Sequence, residues 1–446
     1  MLEYKENTEP FCINDFYAEN KKMGGKMIKK FSCSNFRNIN ASDLEFAKIN
    51  ILIGPNNSGK SNFIKALTFF SEMIKKSEEG NLKSAFLNAI SRNGWEHILN
   101  NSADERSSID FAWELDLDNE PVRYKFSFST GSTVEQCQIL LEELNAISTS
   151  AQYDEEYNYF RCHEPKLGNG YFSSAIQKGQ HNRRLPFSVD NKDTLMMQFK
   201  DILLENKQLY GSETVRVDIA HLLYKIQKYV EGFHVYISAQ FNMKQMRDPV
   251  SIKNMDLRLS HNAANFINVF NNYKSHNILW KNTFEKYLKE LIPNLQQVDT
   301  VSMYDKLLFK LIYNDKQYDL SDISEGTLKG LILNLLINMP MEERCTLLAI
   351  DEPETNLHPA WQKVIGNWLQ ASDNFNQCFI STHSPDFLDS FTEEFKNGHV
   401  AVFVFDNTGQ DNIKKIVYKD IADELGDWEL GDLYRTNDPA LGGWPW

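Results

Sequence analysis

Residues Gly54-Pro55-Asn56-Asn57-Ser58-Gly59-Lys60-Ser61 form the pattern G-x-x-x-x-G-K-S, which is typical of a phosphate-binding loop. The apolar run Ile49–Ile53 before it predicts a strand, and Ser61–Met73 after it carries apolar residues at helical spacing. Between a strand and a helix, such a loop directs backbone N–H groups and the helix N-terminus at phosphate. The stretch therefore predicts an α/β fold built around a nucleotide site.

The loop also supplies candidate side chains for nucleotide chemistry. Lys60 is placed to reach the β- and γ-phosphates, and the hydroxyl of Ser61 is placed to hold Mg²⁺. The other residues of this stretch that we predict to contact the nucleotide are Gly54, Asn57, Ser58, Gly59 and Asn62. A chance match in a glycine-rich turn is the alternative, and the strand and helix on either side argue against it.

A second motif is the apolar run Thr346–Ile350, which ends in two carboxylates, Asp351 and Glu352. An uninterrupted apolar run suits a buried parallel strand, whose C-terminal end lies at the ligand in open α/β sheets. Asp351 is then placed to hold Mg²⁺, directly or through water, and Glu352 to activate the attacking water as a general base. Two solvated acids at a strand end are the alternative, which the phosphate-loop motif disfavours.

Composition and charge limit the class of protein. The chain has 446 residues, a formal net charge of −14 and no run of 18 apolar residues, so no membrane span is expected. A protein that coats DNA needs a basic surface, so any nucleic-acid contact must be local or belong to a partner. The six cysteines form no C-x-x-C pair, which predicts reduced thiols in a cytoplasmic protein.

The sequence pattern divides the chain into an N-terminal extension, a first lobe, an insertion and a second lobe, at residues 1–26, 27–145, 146–229 and 230–446. Alternating apolar and polar residues, as in Ile109–Leu117, predict an antiparallel β-meander in the first lobe. The insertion is predicted to be mainly helical and partly irregular. It accounts for the long separation in sequence between Lys60 and Asp351.

Three further motifs surround the two carboxylates: Ser324-Glu325-Gly326-Thr327, Pro353–Pro359 and Ser381-Thr382-His383-Ser384-Pro385. Together with the phosphate loop, and in this order, they resemble the ABC-type ATPase heads of the SMC, RecF and OLD superfamily. More narrowly, they resemble bacterial stand-alone ATPases of anti-phage defence systems such as Septu, PARIS and retron-associated cassettes. The resemblance implies an α/β, ABC-type P-loop ATPase head with an antiparallel β-meander and a small, mainly helical insertion.

The resemblance also implies roles for individual residues. Lys60 and Ser61 match the phosphate loop, with Lys60 acting in catalysis as well as in binding. Asp351 and Glu352 match the metal-binding and catalytic carboxylates. His383 matches the switch histidine that contacts the γ-phosphate.

Other matches concern the subunit interface and the base. Ser324 and Gly326 match the signature that caps the γ-phosphate of the opposite subunit, and residues 356–358 match a loop that crosses the dimer interface. Arg37 matches an early arginine near the α-phosphate and the base.

The resemblance implies partners as well. Half of the γ-phosphate site is missing from one chain, so ATP with Mg²⁺ is expected to join two copies in a head-to-head dimer or higher oligomer. We find no long coiled coil and no TOPRIM segment, so the effector is expected to be a separately encoded nuclease. The aromatic tail Asp427–Trp446 could dock it or pack back on the head. The basic segment Arg161–Arg184 could contact nucleic acid or a phage-derived trigger, or be a solvated loop.

Two other functions stay open. A RecF-like ATPase of DNA repair or recombination would hydrolyse ATP faster with DNA, which the net charge of −14 disfavours. A non-hydrolysing, ATP-loaded sensor scaffold would tolerate Glu352→Gln but not Lys60→Ala. A transporter subunit is disfavoured because the signature reads Ser-Glu-Gly-Thr instead of Ser-Gly-Gly-Gln.

Overall fold

The computed structural model describes residues 26–442 except for 75–81, 83, 105–106, 148–157, 164–169, 174–183, 206–212, 254–255, 341–344 and 407–411. Three predicted features therefore fall wholly or largely outside the described residues. They are the N-terminal extension, most of the basic segment 161–184, and the last two tryptophans of the tail, Trp444 and Trp446.

The described chain is rich in strands up to residue 187 and mixes helices with strands after it. The strands are β1 (Met27–Phe36), β2 (Ile39–Glu45), β3 (Ile49–Ile53), β4 (Ser108–Asp116), β5 (Pro121–Ser129), β6 (Gln138–Ala146), β7 (Asn158–Cys162), β8 (Gly170–Ser173), β9 (Arg184–Phe187), β10 (Phe233–Ile237), β11 (Val250–Ser251), β12 (Leu295–Met303), β13 (Lys306–Tyr313), β14 (Lys316–Asp319), β15 (Cys345–Asp351), β16 (Phe375–Ser381), β17 (Val400–Phe405) and β18 (Ile413–Ile416). The helices are α1 (Lys60–Ile74), α2 (Ala85–Arg92), α3 (Leu195–Glu205), α4 (Glu213–Glu231), α5 (Met243–Arg247), α6 (Phe266–His276), α7 (Ile278–Leu291), α8 (Glu325–Ile337), α9 (Pro359–Ala371), α10 (Pro385–Asp389), α11 (Thr392–Lys396), α12 (Ala422–Leu425) and α13 (Leu430–Arg435).

The central sheet has the strand order β10-β15-β16-β3-β17-β18, in which only β18 is antiparallel to its neighbour. Every residue of β3, β15 and β17 is buried, which explains why apolar residues dominate their sequences. Asp351 at the end of β15 pairs with Ser381 of β16, and Ser381 pairs with Leu52 of β3. The loops that follow these three strands therefore meet at one edge of the sheet.

An antiparallel sheet with the order β2-β1-β4-β5-β6-β7-β8-β9 packs on α1. Phe70 of α1 stacks on Tyr124 of β5 with ring centroids 4.3 Å apart, and the indole N–H of Trp113 donates to the carbonyl of Leu67. The side chain of Gln377 in β16 exchanges hydrogen bonds with the backbone of Ile28 in β1. The two sheets and α1 thus share one core.

Helices of the second lobe cover the opposite face of the central sheet. Within α8 every residue from Leu328 to Ile337 is buried, because the helix runs between the sheet and α7 with apolar side chains all around. None of the described helices is long and apolar enough to cross a membrane. The α/β class with an antiparallel meander is confirmed.

The described insertion contains the predicted helices and, in addition, strands that were not predicted. Its helices α3 and α4 are present, but β7, β8 and β9 continue the meander outward from β6 as antiparallel neighbours. These strands have four or five residues each, which is too short for alternation to stand out in the sequence. Strands β7, β8 and β9 thus extend the sheet of the first lobe, and the division at residue 146 stays a proposal.

The described part of the tail packs on the second lobe. Leu430, Leu433 and Leu441 are buried, whereas the side chain of Trp428 is 50% exposed. Packing onto the head, one of the two alternatives for the tail, therefore holds for these residues.

A buried carboxyl in the meander gives the fold an expected pH dependence. Glu142 is fully buried and accepts hydrogen bonds from the hydroxyl of Tyr124 and the N–H of Leu195, both at 2.7 Å. Burial raises the pKa of Glu142 to about 7. Its stabilising contribution is therefore complete below the unfolded-state pKa and is lost as pH rises towards 7.

We expect the free energy of unfolding of the wild type, relative to Glu142→Gln, to fall by about 2 kcal/mol between pH 5 and pH 8. Urea denaturation of both proteins across this range measures the difference. Parallel pH profiles for the two proteins would contradict the assignment.

Candidate nucleotide site

The phosphate-loop motif lies between β3 and α1, at the edge where β15 and β16 also end. Gly54 has a φ of +143°, and a side chain there would place its Cβ 2.3 Å from the carbonyl oxygen of Phe405. Only glycine fits this approach. The turn passes through Asn57 at a φ of +64°, and α1 begins at Lys60. The free N–H groups of the first turn of α1 therefore face the loop.

Lys60 folds back beneath the loop. Its ammonium donates to the carbonyl oxygens of Gly54 and Pro55, at 2.9 and 2.8 Å. Burial lowers the pKa of Lys60 to about 8, and the neighbouring carboxylates, Glu352 foremost, offset only part of that drop. The buried hydroxyl of Ser58 has no hydrogen-bond partner among the described residues. A buried cation and an unpaired donor in one loop fit an anionic ligand such as nucleotide phosphate.

A hydroxyl and a carboxylate form the candidate Mg²⁺ position. The Oγ of Ser61 donates to Oδ2 of Asp351 at 2.7 Å, and the hydroxyl of Ser381 donates to the other oxygen of Asp351. No cluster of three or more His, Cys, Asp or Glu side chains suited to a metal occurs in the described part of the chain. Mg²⁺ would therefore rely on Ser61 and Asp351 together with phosphate oxygens and water, as it does at other nucleotide sites.

Glu352 and His383 face each other beside this position. Glu352 has a φ of +51°, which is uncommon for a residue with a long side chain and typical of functional sites. Its Oε1 lies 3.6 Å from Nε2 of His383. Burial, and secondarily the charge of Lys60, lower the pKa of His383 to about 4. The imidazole is therefore neutral near pH 7 and can both donate and accept a hydrogen bond.

Two residues that hydrogen-bond to the predicted site residues, Glu354 and Ser381, were not predicted as part of the site. The carboxylate of Glu354 accepts a hydrogen bond from the backbone N–H of His383 at 2.7 Å. The carbonyl oxygen of Ser381 accepts the N–H of Glu352 at 3.1 Å, while its hydroxyl holds Asp351. Both lie inside motifs that the sequence displays, and their positions beside a predicted catalytic residue are the signal that could have singled them out.

The signature residues lie at the start of α8, next to the loop that follows Glu352. Ser324 caps α8, and a Cβ on Gly326 would lie 2.8 Å from the carbonyl oxygen of Asn356. The buried ammonium of Lys329 donates to the carbonyl of Glu352 at 3.3 Å. Among the described residues, no hydrogen bond connects Ser324 or Gly326 with the phosphate loop. The start of α8 is therefore packed against the loop that carries Glu352.

Arg37 lies beside the helix that follows the phosphate loop. It has a φ of +53°, and its guanidinium donates to Oδ1 of Asn62 and to the carbonyl of Asn93. The amide of Asn62 also donates to Asn38. The predicted nucleotide residues Arg37 and Asn62 are thus brought together at the N-terminal end of α1.

A phosphate-loop motif, a carboxylate pair and a histidine at one edge of a parallel sheet define a P-loop ATPase head of ABC type. Residues 49–389 match the family described as "AAA domain, putative AbiEii toxin, Type IV TA system", and the chain belongs to this family. It is similar to the "Retron Vc95 probable ATPase" of Vibrio cholerae serotype O1 biovar El Tor, with 21% identity over 365 residues, 77% of this chain and 67% of the relative. The predicted membership is confirmed at this level.

Solved structures with similarity to this chain include SMC heads. One is the "SmcHead bound to the C-winged helix domain of ScpA", with a TM-score of 0.47 and 10% identity over 88% of this chain and 99% of that one. Another is the "SMC head domain from Thermotoga maritima", with a TM-score of 0.41 and 10% identity over 87% of this chain and 98% of that one.

Proposed function

We propose that this ATPase binds and slowly hydrolyses ATP with Mg²⁺, dimerises on ATP, and thereby controls a separately encoded effector, a nuclease, in anti-phage defence. The observation that carries the proposal is that five predicted site residues meet at one sheet edge without the signature residues. Lys60, Ser61, Asp351, Glu352 and His383 converge there, whereas Ser324 and Gly326 make no hydrogen bond with the phosphate loop in the described part of the chain.

The hydrolytic step follows from the groups at the sheet edge. Glu352 takes a proton from water, whose oxygen attacks the γ-phosphorus as the bond to the ADP oxygen breaks. Lys60 and the N-terminus of α1 stabilise the charge on the phosphates, and neutral His383 hydrogen-bonds a γ-phosphate oxygen. Mg²⁺ held by Ser61 and Asp351 would supply further charge neutralisation.

A second subunit would supply contacts to the γ-phosphate that the sheet edge of one chain lacks. Ser324 at the exposed start of α8 offers a hydroxyl and free helical N–H groups, which suit a phosphate on another subunit. A second copy would place that end over the first copy's nucleotide, so ATP would bind the two heads together. Hydrolysis would release them, which makes the nucleotide a switch of assembly.

The role in defence is supported by the name of the retron-associated relative and by the sequence motifs. The net charge of −14 favours a protein effector over extended contact with DNA. The exposed Trp428 at the start of the tail helix offers one apolar contact for such a partner.

Phage plating tests this role directly. Phage are expected to form plaques less efficiently on cells that carry this chain with its neighbouring genes than on cells that carry the Lys60→Met version of the same locus. Equal protection by both versions would contradict a nucleotide-dependent defence role. Hydrolysis by the pure protein that rises strongly with DNA would favour the repair alternative instead.

The close packing of α8 at Gly326 predicts the effect of a substitution there. Gly326→Ala would force the start of α8 away from the backbone of Asn356, because the new Cβ meets a carbonyl oxygen and not a flexible side chain. We expect hydrolysis to fall about 10- to 100-fold, with ATP affinity of the single chain unchanged.

Gly330→Ala, one turn further along α8, is the matched control. Its Cβ would lie 2.9 Å from the terminal methyl Cδ1 of Leu291, a side-chain atom and not backbone, so nearly normal hydrolysis is expected. Steady-state phosphate release and binding of a fluorescent ATP analogue measure both properties. Equal rates in the two variants would show that the contact with Asn356 is unimportant.

A further inference from the structure

The residue before β18, Asn412, reaches the phosphate loop through its side chain. Only 7% of Asn412 is exposed, and its amide nitrogen donates to the carbonyl oxygen of Asn38 at 3.0 Å and to that of Ser58 at 3.4 Å. Both hydrogens of the amide group are thereby used. One side chain of the second lobe thus joins two segments of the first lobe, which are the turn between β1 and β2 and the phosphate loop.

The backbone that carries Asn412 is itself fixed against the phosphate loop. β17 is the parallel neighbour of β3, the strand that leads into the loop. A Cβ on Gly54 would lie 2.3 Å from the carbonyl oxygen of Phe405, the last residue of β17. The carbonyl of Asn412 in turn accepts the N–H of Asp406 at 3.0 Å. Asn412 therefore has a defined position relative to the loop.

The partner Asn38 belongs to the predicted surroundings of the nucleotide. It follows Arg37 in the chain, and its side-chain oxygen accepts a hydrogen bond from the amide of Asn62 at 2.8 Å. A Cβ on Gly59 would lie 2.8 Å from the amide nitrogen of Asn38, so this side chain lies directly against the phosphate loop. Asn412 is therefore hydrogen-bonded both to the loop and to a residue that packs on it.

Two polar atoms at this point are left without partners. Oδ1 of Asn412 and the hydroxyl of Ser58 are both buried and make no hydrogen bond within the described part of the chain. Buried polar groups in native proteins are nearly always paired, and an apolar residue in place of Asn412 would avoid the cost of its unpaired oxygen. An asparagine here therefore fits a requirement for its N–H donors.

The carbonyl of Ser58 belongs to the same peptide unit as the N–H of Gly59. The described chain has no cis peptide bond, and in a planar trans peptide these two groups point in opposite directions. A side chain that holds the carbonyl therefore directs the N–H away from itself. No backbone acceptor among the described residues takes the N–H of Gly59. It is thus available to an anion in the loop, as backbone N–H groups of phosphate loops are.

We propose that Asn412 is a positioning residue of the nucleotide site, which holds the carbonyl of Ser58 so that the N–H of Gly59 faces a phosphate of ATP. The contact with the ligand is made by the loop and not by Asn412 itself. Because the N–H is oriented before ATP arrives, less ordering is needed when the nucleotide binds. The inference rests on the ATP-binding step of the proposed function.

Asn412→Ala removes the amide and its two hydrogen bonds. We expect the Kd for a non-hydrolysable ATP analogue with Mg²⁺ to rise about tenfold, the loss expected for one well-placed hydrogen bond. The kcat at saturating ATP is expected to stay within about twofold, because the phosphate contact is the same before and during hydrolysis. A merely structural role would instead reduce the fraction of folded protein, which lowers the apparent kcat at an unchanged Kd. Isothermal titration and phosphate release measure the two quantities.

Asn412→Leu is the second variant, because it nearly keeps the shape of the side chain and removes only its hydrogen bonding. The same rise in Kd is expected, which separates the lost donor from the cavity that alanine leaves. Circular dichroism at the assay temperature identifies the variants that are folded. A wild-type Kd in either folded variant would overturn the positioning role.

Asn376→Ala is the matched control. The amide of Asn376 also donates to a backbone carbonyl far away in sequence, that of Lys26 at 3.0 Å. It lies near the start of β16, at the end of the central sheet opposite to the phosphate loop. Its Kd and kcat are expected to equal those of the wild type.

Lys60→Met separates this inference from the function on which it rests. If Lys60→Met loses affinity while both Asn412 variants bind the analogue as the wild type does, only the positioning role is wrong. If Lys60→Met binds ATP as tightly as the wild type, the loop is not the nucleotide site, and the proposed function fails together with the inference.

Discussion

Lys60→Met is expected to weaken ATP binding about 100-fold, because the phosphates lose charge-assisted hydrogen bonds worth about 3 kcal/mol together. Hydrolysis should be lost with binding. Methionine preserves the apolar stem that α1 buries and removes only the ammonium. Isothermal titration with ATP and Mg²⁺ measures the change in affinity.

The same substitution should not destabilise the protein without nucleotide. The ammonium is buried and held by two carbonyl groups, and its lowered pKa shows that the fold disfavours the charge. We therefore expect a Tm equal to or above that of the wild type.

Lys48→Met provides the control for charge and length. Lys48 lies at the other end of the strand before the loop and donates to Ser372 and Asp373. Its substitution should leave ATP affinity unchanged. Equal ATP affinity of the Lys60 and Lys48 variants would show that Lys60 does not contribute to ATP binding.

Glu352→Gln is expected to lower kcat about 100- to 1,000-fold, since the general base would be lost while the side-chain shape is kept. ATP affinity should be retained, because Lys60, Ser61 and Asp351 are untouched. The separation of kcat from affinity distinguishes a base from a binding residue. Single-turnover hydrolysis with excess enzyme measures the chemical step.

Glu393→Gln is a suitable control for this variant. Its carboxylate is exposed and pairs with Lys396 on the same short helix. Hydrolysis should continue at the wild-type rate. If Glu352→Gln hydrolyses ATP at the wild-type rate, Glu352 is not the general base and another residue must activate the water.

The sequence predicts the parts of the site that depend on local pattern. The loop at residues 54–61, the carboxylates after β15 and the histidine after β16 each follow an apolar strand, and the parallel register brings those strand ends together. Their catalytic and binding roles stay predictions. The contact between Ser61 and Asp351 is the clearest case of distant motifs that meet.

Other features depend on packing that no local pattern encodes. Strands β7–β9 are too short for alternation to be visible, so this part of the insertion was predicted to be irregular. The approach of Gly326 to Asn356 joins segments that lie apart in sequence. Only the folded arrangement reveals that Glu354 holds the backbone of His383.

The mass of Glu352→Gln in solution shows whether ATP joins two heads. Light scattering with ATP and Mg²⁺ should give twice the 51.7 kDa of one chain or a larger multiple, and the same sample with ADP should give a smaller mass. Ser324→Arg in the same background should prevent the increase, since it would occupy the surface offered to the second nucleotide. An identical mass with ATP and with ADP, in a variant shown to bind ATP, would show that ATP does not join two heads.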